Sequence, residues 1–482
     1  MKVCIVAEGC YPYVVGGVSS WIHSMIRSFP NLEFQILAII SNRSLSGKFA
    51  YELPENVTQV HEVYLEDFDW DGAGGKGIGI HLTKKEYRAV RSLILNREID
   101  WSVIFELFQN RTFSLDKLLM GPDFLDAVIE CYEEKHSEIV FSDFLWTMRS
   151  MYLPLFLAMQ SDLPKADLYH CVATGYSGVL GSMAKLLHPE SALLISEHGI
   201  YTREREEELI KASWVKGVYK NIWIEQFKKM SLLAYRYADQ VTCLYKHAME
   251  LQIELGCPAE KIKITPNGID DQRFVRCLEE ERKEDDTINI GAVLRIAPIK
   301  DVKTMIRAFA YAKKEAPKLA LWIMGPSDEE KEYAKECFEL VDLLGVEDVI
   351  FTGKVDVTEY LGKMDMTILT SISEGQPLTI LESFAAKKPV IATDVGNCRG
   401  LIYGEGDSFG EAGIITHIMN VEEIAAAMVD LACHREKRIG MGKNGYRRLK
   451  SRYLVEDMKE TYRQIYRQFG DEGRVQGKKG DV

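Results

Sequence analysis

Short apolar runs alternate with helix-length segments almost from one end of the chain to the other. KVCIVAE (2–8) leads through a turn into an amphipathic stretch from Val18 to Phe29, and FQILAII (34–40) follows. DLYHCVATG (167–175), ALLISEHG (192–199), QVTCLY (240–245) and KIKITPNGID (261–270) continue the pattern. INIGAVLRI, ALWIMGP, VIFTG, MTILTSI, PVIATDVG and GIIT repeat it more cleanly in the second half. Continuous Val/Ile/Leu runs separated by helices predict parallel sheets covered on both faces, an α/β architecture. The acidic stretch LEEERKEDDT (278–287) has no apolar periodicity and marks the main boundary. Two doubly wound units are therefore expected. Such sheets bind ligands at the carboxyl ends of their strands, so two facing units would enclose a cleft.

The expected division is 1–280 for the first unit, 281–445 for the second and 446–482 for a closing segment. Residues near 66–166 break the alternation. They hold a Gly-rich loop, GAGGKGIG (72–79), and then helical patterns such as KKEYRAVRSLILNRE, and read as a mostly helical insertion. RYLVEDMKETYRQIYRQF (452–469) is a single amphipathic helix, with Leu454, Met458, Tyr462, Ile465 and Phe469 on one face. The last dozen residues are polar and read as frayed.

Charge and cysteine usage narrow the class. With 59 Lys and Arg against 72 Asp and Glu, the net charge of −13 excludes a protein that grips nucleic-acid phosphates over its surface. The longest apolar runs fall short of the ~18–20 residues a membrane span needs. The N-terminus reads as a first strand and not as a signal peptide. The 10 cysteines are scattered, without a CxxC pair or a Cys–His cluster, as in a reduced cytosolic protein.

SISEGQPLTILESFAAKKPVIATDVG (371–396) is the most informative segment. A buried strand ends in the polar loop SEGQP, and a helix starts near Leu378 with Pro377 where proline is tolerated. Glu374 lies in the loop and Glu382 about a turn into the helix. Free N–H groups at a helix start suit a phosphate oxygen, and carboxylates suit sugar hydroxyls. A sugar nucleotide supplies both.

E-G-Q-P-L-T-I-L-E resembles the E-x7-E pattern of retaining GT-B glycosyltransferases of family 4. Other pieces fall in the order of that family: Gly16-Gly17-Val18, Glu197-His198-Gly199, Pro266-Asn267-Gly268-Ile269-Asp270, Arg295 with Lys300, Gly325-Pro326 and Phe351-Thr352-Gly353. The long first half and the wording EGCYPYVVGGVSSW, SEHGIYTRER and TDVGNCR resemble PelF-type glycosyltransferases, cytosolic enzymes of Pel-type exopolysaccharide operons. The resemblance implies a GT-B fold with two Rossmann-like domains, acceptor-side first and nucleotide-sugar-binding second, and a tail helix packing back on the first.

It also implies roles. His198, Arg295, Lys300 and Glu374 would be catalytic: His198 near the transferred sugar, the two cations on the diphosphate leaving group, Glu374 on sugar hydroxyls. Gly16, Gly17, Gly325, Thr352, Gly353, Gly375, Gln376, Pro377, Leu378, Thr379 and Glu382 would bind the donor, with Glu382 on the ribose and the 351–353 strand end near the base. The implied reaction moves a hexosyl or N-acetylhexosaminyl unit from a UDP-sugar to a growing exopolysaccharide with retention, without a metal or other cofactor. Its partners would be the donor, an oligo- or polysaccharide acceptor and a membrane-bound synthase complex at the inner face of the membrane, with no nucleic acid. A sugar-nucleotide epimerase or hydrolase and a catalytically silent assembly subunit are the rival readings. The chain departs from the family at Asn397-Cys398-Arg399-Gly400, where an acidic residue is common.

Alone, each of these residues has a blander reading, as a solvated loop carboxylate, a structural histidine or an ordinary strand–helix turn. EDFDWDG (66–72) holds D-x-D twice but reads as a solvated acidic loop, and GAGGKG lacks the Lys-Ser/Thr ending of a P-loop. KASWVKGVYKNIWIEQFKKM (211–230) interleaves aromatics with five lysines, the mark of a membrane-surface helix or, more often, of a helix packed on a core. REKRIGMGKNGYRRLKSR (435–452), with eight cations and one acid, reads as a solvated face or a contact for anionic lipid.

Overall fold

A computed structural model describes residues 1–68, 80–212, 214–215, 217–279 and 287–477, with side chains as far as Gly470. The chain forms two compact units. The first takes Met1–Cys243, Met249–Ile264 and the chain from Arg463 onward; the second takes Leu244–Ala248 and Thr265–Tyr462.

The first unit carries β1 (Lys2–Glu8), β2 (Glu33–Ile40), β3 (Val57–Tyr64), β4 (Leu168–Cys171), β5 (Ala192–Ser196), β6 (Gln240–Cys243) and β7 (Ile262–Ile264). Their order is β3-β2-β1-β4-β5-β6-β7, and all neighbours run parallel. Five consecutive residues of β1 and all four of β4 are buried, which is why these strands read as unbroken apolar runs. The strand β3, absent from the sequence reading, is an edge strand. In VTQVHEVY pairs of polar residues separate single valines, and Val63 alone is fully buried.

The insertion between β3 and β4 folds as helices Lys84–Ile94, Trp101–Asn110, Leu115–Leu119, Pro122–Lys135 and Phe141–Met159. Thr83 starts the first with a capping box to Glu86. Val90, Leu93, Phe105, Phe124 and Phe156 share one apolar cluster with Cys4, Val6 and Leu37 of the sheet, so the insertion extends the core of the first unit. The Gly-rich loop 72–79 lies outside the described residues. Of EDFDWDG only Glu66, Asp67 and Phe68 are described, and Asp67 is ion-paired with Arg43 at 2.5 Å.

In the 211–230 segment, Phe227 is buried and Tyr219 and Trp223 pack on the same core. Lys229 turns inward to the Leu93 carbonyl at 2.7 Å and the Tyr152 hydroxyl at 3.2 Å, and burial pushes its ammonium down to about 7. Helix Val218–Tyr237 is therefore a core-packed helix, with Trp214 before it left 70% exposed.

The second unit carries β8 (Ile288–Val293), β9 (Leu319–Met324), β10 (Val349–Gly353), β11 (Met366–Leu369), β12 (Val390–Thr393) and β13 (Gly413–Thr416), in the order β10-β9-β8-β11-β12-β13, all parallel. The boundary falls at Ile264/Thr265 and not at 280, because the segment after β7 packs on the second sheet unit. Ile269, Phe274 and Cys277 join a cluster with Leu361, Leu381 and Phe384, and the Ile269 backbone pairs with Tyr453 and Val455. Gly268 makes that approach possible, since a Cβ there would sit 2.3 Å from the Leu454 carbonyl oxygen. Most of the acidic stretch 278–287 lies outside the described residues.

Helix Val455–Gly477 is shared out by residue number. Met458 and Tyr462 are buried in the second unit, whereas Ile465, Tyr466 and Phe469 are buried in the first. Tyr466 packs against Phe29 with ring centroids 5.2 Å apart, and its hydroxyl meets His170 Nδ1 at 2.8 Å.

Candidate active site

In a doubly wound sheet the crevice opens where the strand order reverses, at the carboxyl ends. In the second unit that point lies between β8 and β11. After β8 the chain makes a tight turn through Pro298–Lys300, and Asp301, at φ +46°, caps helix Val302–Glu315. After β11 it runs through Thr370–Pro377 into helix Leu378–Ala385. The two loops are stitched together: the Ile372 N–H donates to the Ile299 carbonyl at 2.9 Å and the Thr370 hydroxyl to the Lys300 carbonyl at 2.9 Å.

That stitching sets Lys300 Nζ 2.5 Å from Glu374 Oε1, which also accepts from the Ser371 hydroxyl at 2.6 Å. The paired side chains are only 19% and 12% exposed, so the interaction is weakly screened. The loop after β12 supports them. Gly375 O accepts from the Asn397 N–H at 2.8 Å, and Gly396, at φ +51°, lies so close that a Cβ would come within 2.2 Å of the Glu374 carbonyl oxygen. Asn397, a departure from the family pattern, thus acts through its backbone, while Arg399 pairs with Asp394.

Arg295 stands apart from this pair. It is more than half exposed, with Nη1 2.5 Å from Glu329. Its neighbours Leu294 and Ile296 bond the backbone of Met324 and Pro326. Gly325 packs where a Cβ would meet Leu294 O at 1.8 Å, and its N–H donates to Gly353 O at 2.9 Å. The Thr352 hydroxyl also reaches Gly353 O at 2.9 Å. Arg295, Gly325, Thr352 and Gly353 therefore form a row across the ends of β8, β9 and β10, and the space beside Gly353 is open.

Gln376 has another job than the expected donor contact. It is buried, its amide donates to Asn267 O at 2.9 Å, and its oxygen accepts from Asn267 N–H at 3.0 Å. It clamps the Asn267-Gly268 turn to the loop bearing Glu374. Pro377 caps the following helix in extended conformation, and Leu378 is 38% exposed. Thr379 and Glu382 then share one helix face three residues apart. The Thr379 hydroxyl is buried without a partner, and burial, opposed by the charge of Arg273, pushes the Glu382 carboxyl up to about 7. Both are free acceptors for a hydroxyl-bearing ligand.

In the first unit the order reverses between β1 and β4. Gly16 caps helix Gly17–Ser28 in fully extended backbone, and a Cβ on Gly16 or Gly17 would meet nothing within 4 Å, so these glycines leave room rather than pack. His198 follows β5. Its ring stands 4.4 Å from that of Trp21, its Nε2 is buried without a partner, and burial pushes its pKa down to about 4, so it is neutral at pH 7.

Two carboxylates at these strand ends stand in the quoted motifs but were given no role from the sequence. Glu8 accepts from the Ser177 N–H at 3.0 Å and the Tyr201 hydroxyl at 3.0 Å. Glu197 accepts from Tyr235 at 2.5 Å, Gln252 at 2.8 Å and Thr174 at 3.1 Å. Burial raises both pKa values against the pull of these bonds. The available signal was an acidic residue directly after an apolar strand, which must find donors when buried. Among the described residues no group of three or more His, Cys, Asp or Glu side chains is arranged to hold a metal, and no helix is long and apolar enough to cross a membrane.

Comparison with known proteins follows the same two-part division. Residues 1–260 match the family described as Domain of unknown function (DUF3492), and residues 287–434 match Glycosyl transferases group 1. The chain belongs to the DUF3492 family, with a glycosyl transferases group 1 domain as its second part. It is 24% identical over 295 residues to the amylovoran biosynthesis glycosyltransferase AmsK of Erwinia amylovora, covering 56% of this chain and 65% of that one. It is 27% identical over 341 residues to the putative glycosyltransferase EpsD of Bacillus subtilis, covering 65% and 82%. The chain thus spans just under two thirds of the length of AmsK. Among solved structures, HepE of Anabaena in complex with UDP superposes with a TM-score of 0.62 at 16% identity, covering 97% of this chain and 100% of that one. The fold is that of the two-domain GT-B glycosyltransferases.

Proposed function

We propose that this protein is a retaining glycosyltransferase of the PelF type. It moves a hexosyl or N-acetylhexosaminyl unit from a UDP-sugar to a growing exopolysaccharide at the inner face of the cell membrane. The observation that carries the proposal is the Lys300–Glu374 pair over the β8/β11 reversal, with the Thr379 hydroxyl unpartnered and the Glu382 carboxyl desolvated on the helix that follows. A departing nucleoside diphosphate needs a cation in a site shielded from water, and Lys300 supplies it. The hydroxyls of a sugar and a ribose need acceptors, and Glu374 and Glu382 supply them. Arg295 adds a second cation by leaving Glu329. His198, neutral at pH 7, offers a hydrogen bond without adding a further positive charge.

Polysaccharide as the acceptor is supported by the relative AmsK, named for amylovoran biosynthesis, and UDP by the complex of HepE. The PelF-type reading rests on EGCYPYVVGGVSSW, SEHGIYTRER and TDVGNCR. An exported product then requires a membrane-bound synthase as partner. Calorimetric titration with UDP, followed by a screen of UDP-hexoses and UDP-N-acetylhexosamines with product analysis, tests the proposal. Binding of UDP and glycosidic product with retained configuration are expected. Absence of UDP binding would favour a silent assembly subunit, and free or epimerised sugar as sole product would favour a hydrolase or epimerase.

A further inference from the structure

Helix Arg435–Arg452 was the most basic segment of the sequence, and most of its cations have structural work. Arg448 is fully buried, bonded to Asp407 and to the carbonyls of Leu401, Ile402 and Gly410. Lys450 pairs with Asp271 and Lys437 with Asp430. Arg435 and Arg438 differ. Arg435 is exposed and has no ion pair among the described residues. Arg438 is only 8% exposed. Its Nη1 donates to the carbonyls of Leu431 and Ala432 at 2.6 and 3.2 Å, while its Nη2 reaches no nearer to the Asp365 carboxylate than 3.7 Å, beyond hydrogen-bond distance.

Both arginines line a cavity of about 450 Å³ together with Lys387, Lys388 and Asp365. Close backbone packing fixes its walls. Gly442 sits where a Cβ would meet Lys387 O at 2.0 Å, and Lys387 itself is held at φ +54°. Four cations and one carboxylate thus line it in a chain of net charge −13, with Lys388 Nζ donating to the Gly362 carbonyl at 3.0 Å and Lys387 Nζ 4.9 Å from the Tyr446 ring centroid. Two of the four stand in the first turn of an 18-residue helix, where the peptide dipoles disfavour positive charge and favour an anion. The cavity lies at the amino ends of β11 and β12, the opposite end of these strands from Lys300 and Glu374.

We propose that this cavity is a second anion site that binds a phosphate group, either free or carried on a lipid headgroup, between Arg435, Arg438 and Lys387. The proposal does not depend on the glycosyltransferase reading. The test measures the rise in melting temperature on adding inorganic phosphate. The wild type, Arg435→Glu, Lys387→Glu, the charge-matched control Lys443→Glu and the double variant Arg295→Ala/Lys300→Ala are compared. The rise should persist in the control and in the double variant, and apparent affinity should fall at least ~10-fold in Arg435→Glu and Lys387→Glu. An undiminished rise in Arg435→Glu, or an equal loss in Lys443→Glu, overturns the site. Co-sedimentation with vesicles of phosphatidylcholine and phosphatidylglycerol separates the sources. Vesicle binding that is lost in Arg435→Glu assigns a headgroup, and phosphate binding without vesicle binding assigns a free phosphate. UDP titration of Arg435→Glu should match the wild type, so failure here is distinct from failure of the donor reading.

Discussion

Each sheet reverses its strand order once, and acidic residues stand at both reversals, but they are used differently. In the first unit Glu8 and Glu197 are consumed by the fold. Glu8 ties β1 to two helices, and Glu197 is surrounded by donors from Thr174, Tyr235 and Gln252. In the second unit Glu374 is held by Lys300 and Ser371 in a partly open pair, and Glu382 is desolvated with no hydrogen bond to its carboxyl among the described residues. One topology thus serves as a fastening in one unit and as a vacant acceptor set in the other. A carboxylate whose donors are all taken up within the fold contributes to folding; one at a partly open pair, or without a hydrogen bond, is available to a ligand.

Substitutions should separate these uses. Lys300→Ala or Glu374→Ala should lower turnover of a UDP-sugar by roughly 1,000-fold, about 4 kcal/mol of transition-state stabilisation. Neither should move the urea midpoint by more than the equivalent of about 1 kcal/mol; full turnover by both would remove these residues from the site. Glu197→Ala should do the reverse and cost about 3 kcal/mol of stability in urea, because four buried donors, the Tyr201 N–H among them, lose their acceptor. A stable but inactive Glu197→Ala would erase the contrast between the units.

Glu382 tests the second unit through pH. Its carboxyl is raised from 4.5 to about 7, so the folded state holds a proton that the unfolded state releases between those values. Stability should fall as pH rises through that window and level off above it, by at most about 3 kcal/mol. Glu8, Glu197 and Glu204 slope in the same direction, so the difference between wild type and Glu382→Gln isolates the one group. An unchanged slope in Glu382→Gln would show that its carboxyl is already satisfied. The smallest effect belongs to the first unit, where Tyr466→Phe should cost about 1 kcal/mol in urea by removing one hydrogen bond from His170.

The alternation of apolar runs was enough to predict every strand of the second sheet and all but β3 of the first. Buried parallel strands must be apolar throughout, whereas an edge strand such as VTQVHEVY needs only one covered face. The boundary was misplaced because Ile269, Phe274 and Cys277 bury themselves against residues some ninety positions on, which no local pattern records. Lys300 and Glu374 were each singled out by the motif order, one for a diphosphate and one for sugar hydroxyls, but their pairing was not, although both follow strands that flank the reversal. Gln376 was not: its place in E-G-Q-P suggests a ligand contact, but its amide reaches back 109 residues to Asn267. Nor did Arg295 reveal that Glu329 would hold it away from the Lys300 pair.

The bond between His170 and Tyr466 has a consequence for synthesis. The two residues are 296 apart in sequence, and His170 is wholly buried beneath the tail helix. At roughly 5–20 residues per second, a ribosome needs about 15–60 s to travel from one to the other. Even after β7 has been made, the emerging first unit has its sheet but lacks the helix that covers His170 and Phe29. A sheet made early is therefore completed by a helix made much later, and premature termination anywhere in the second unit strips the finished-looking first one of that closing element.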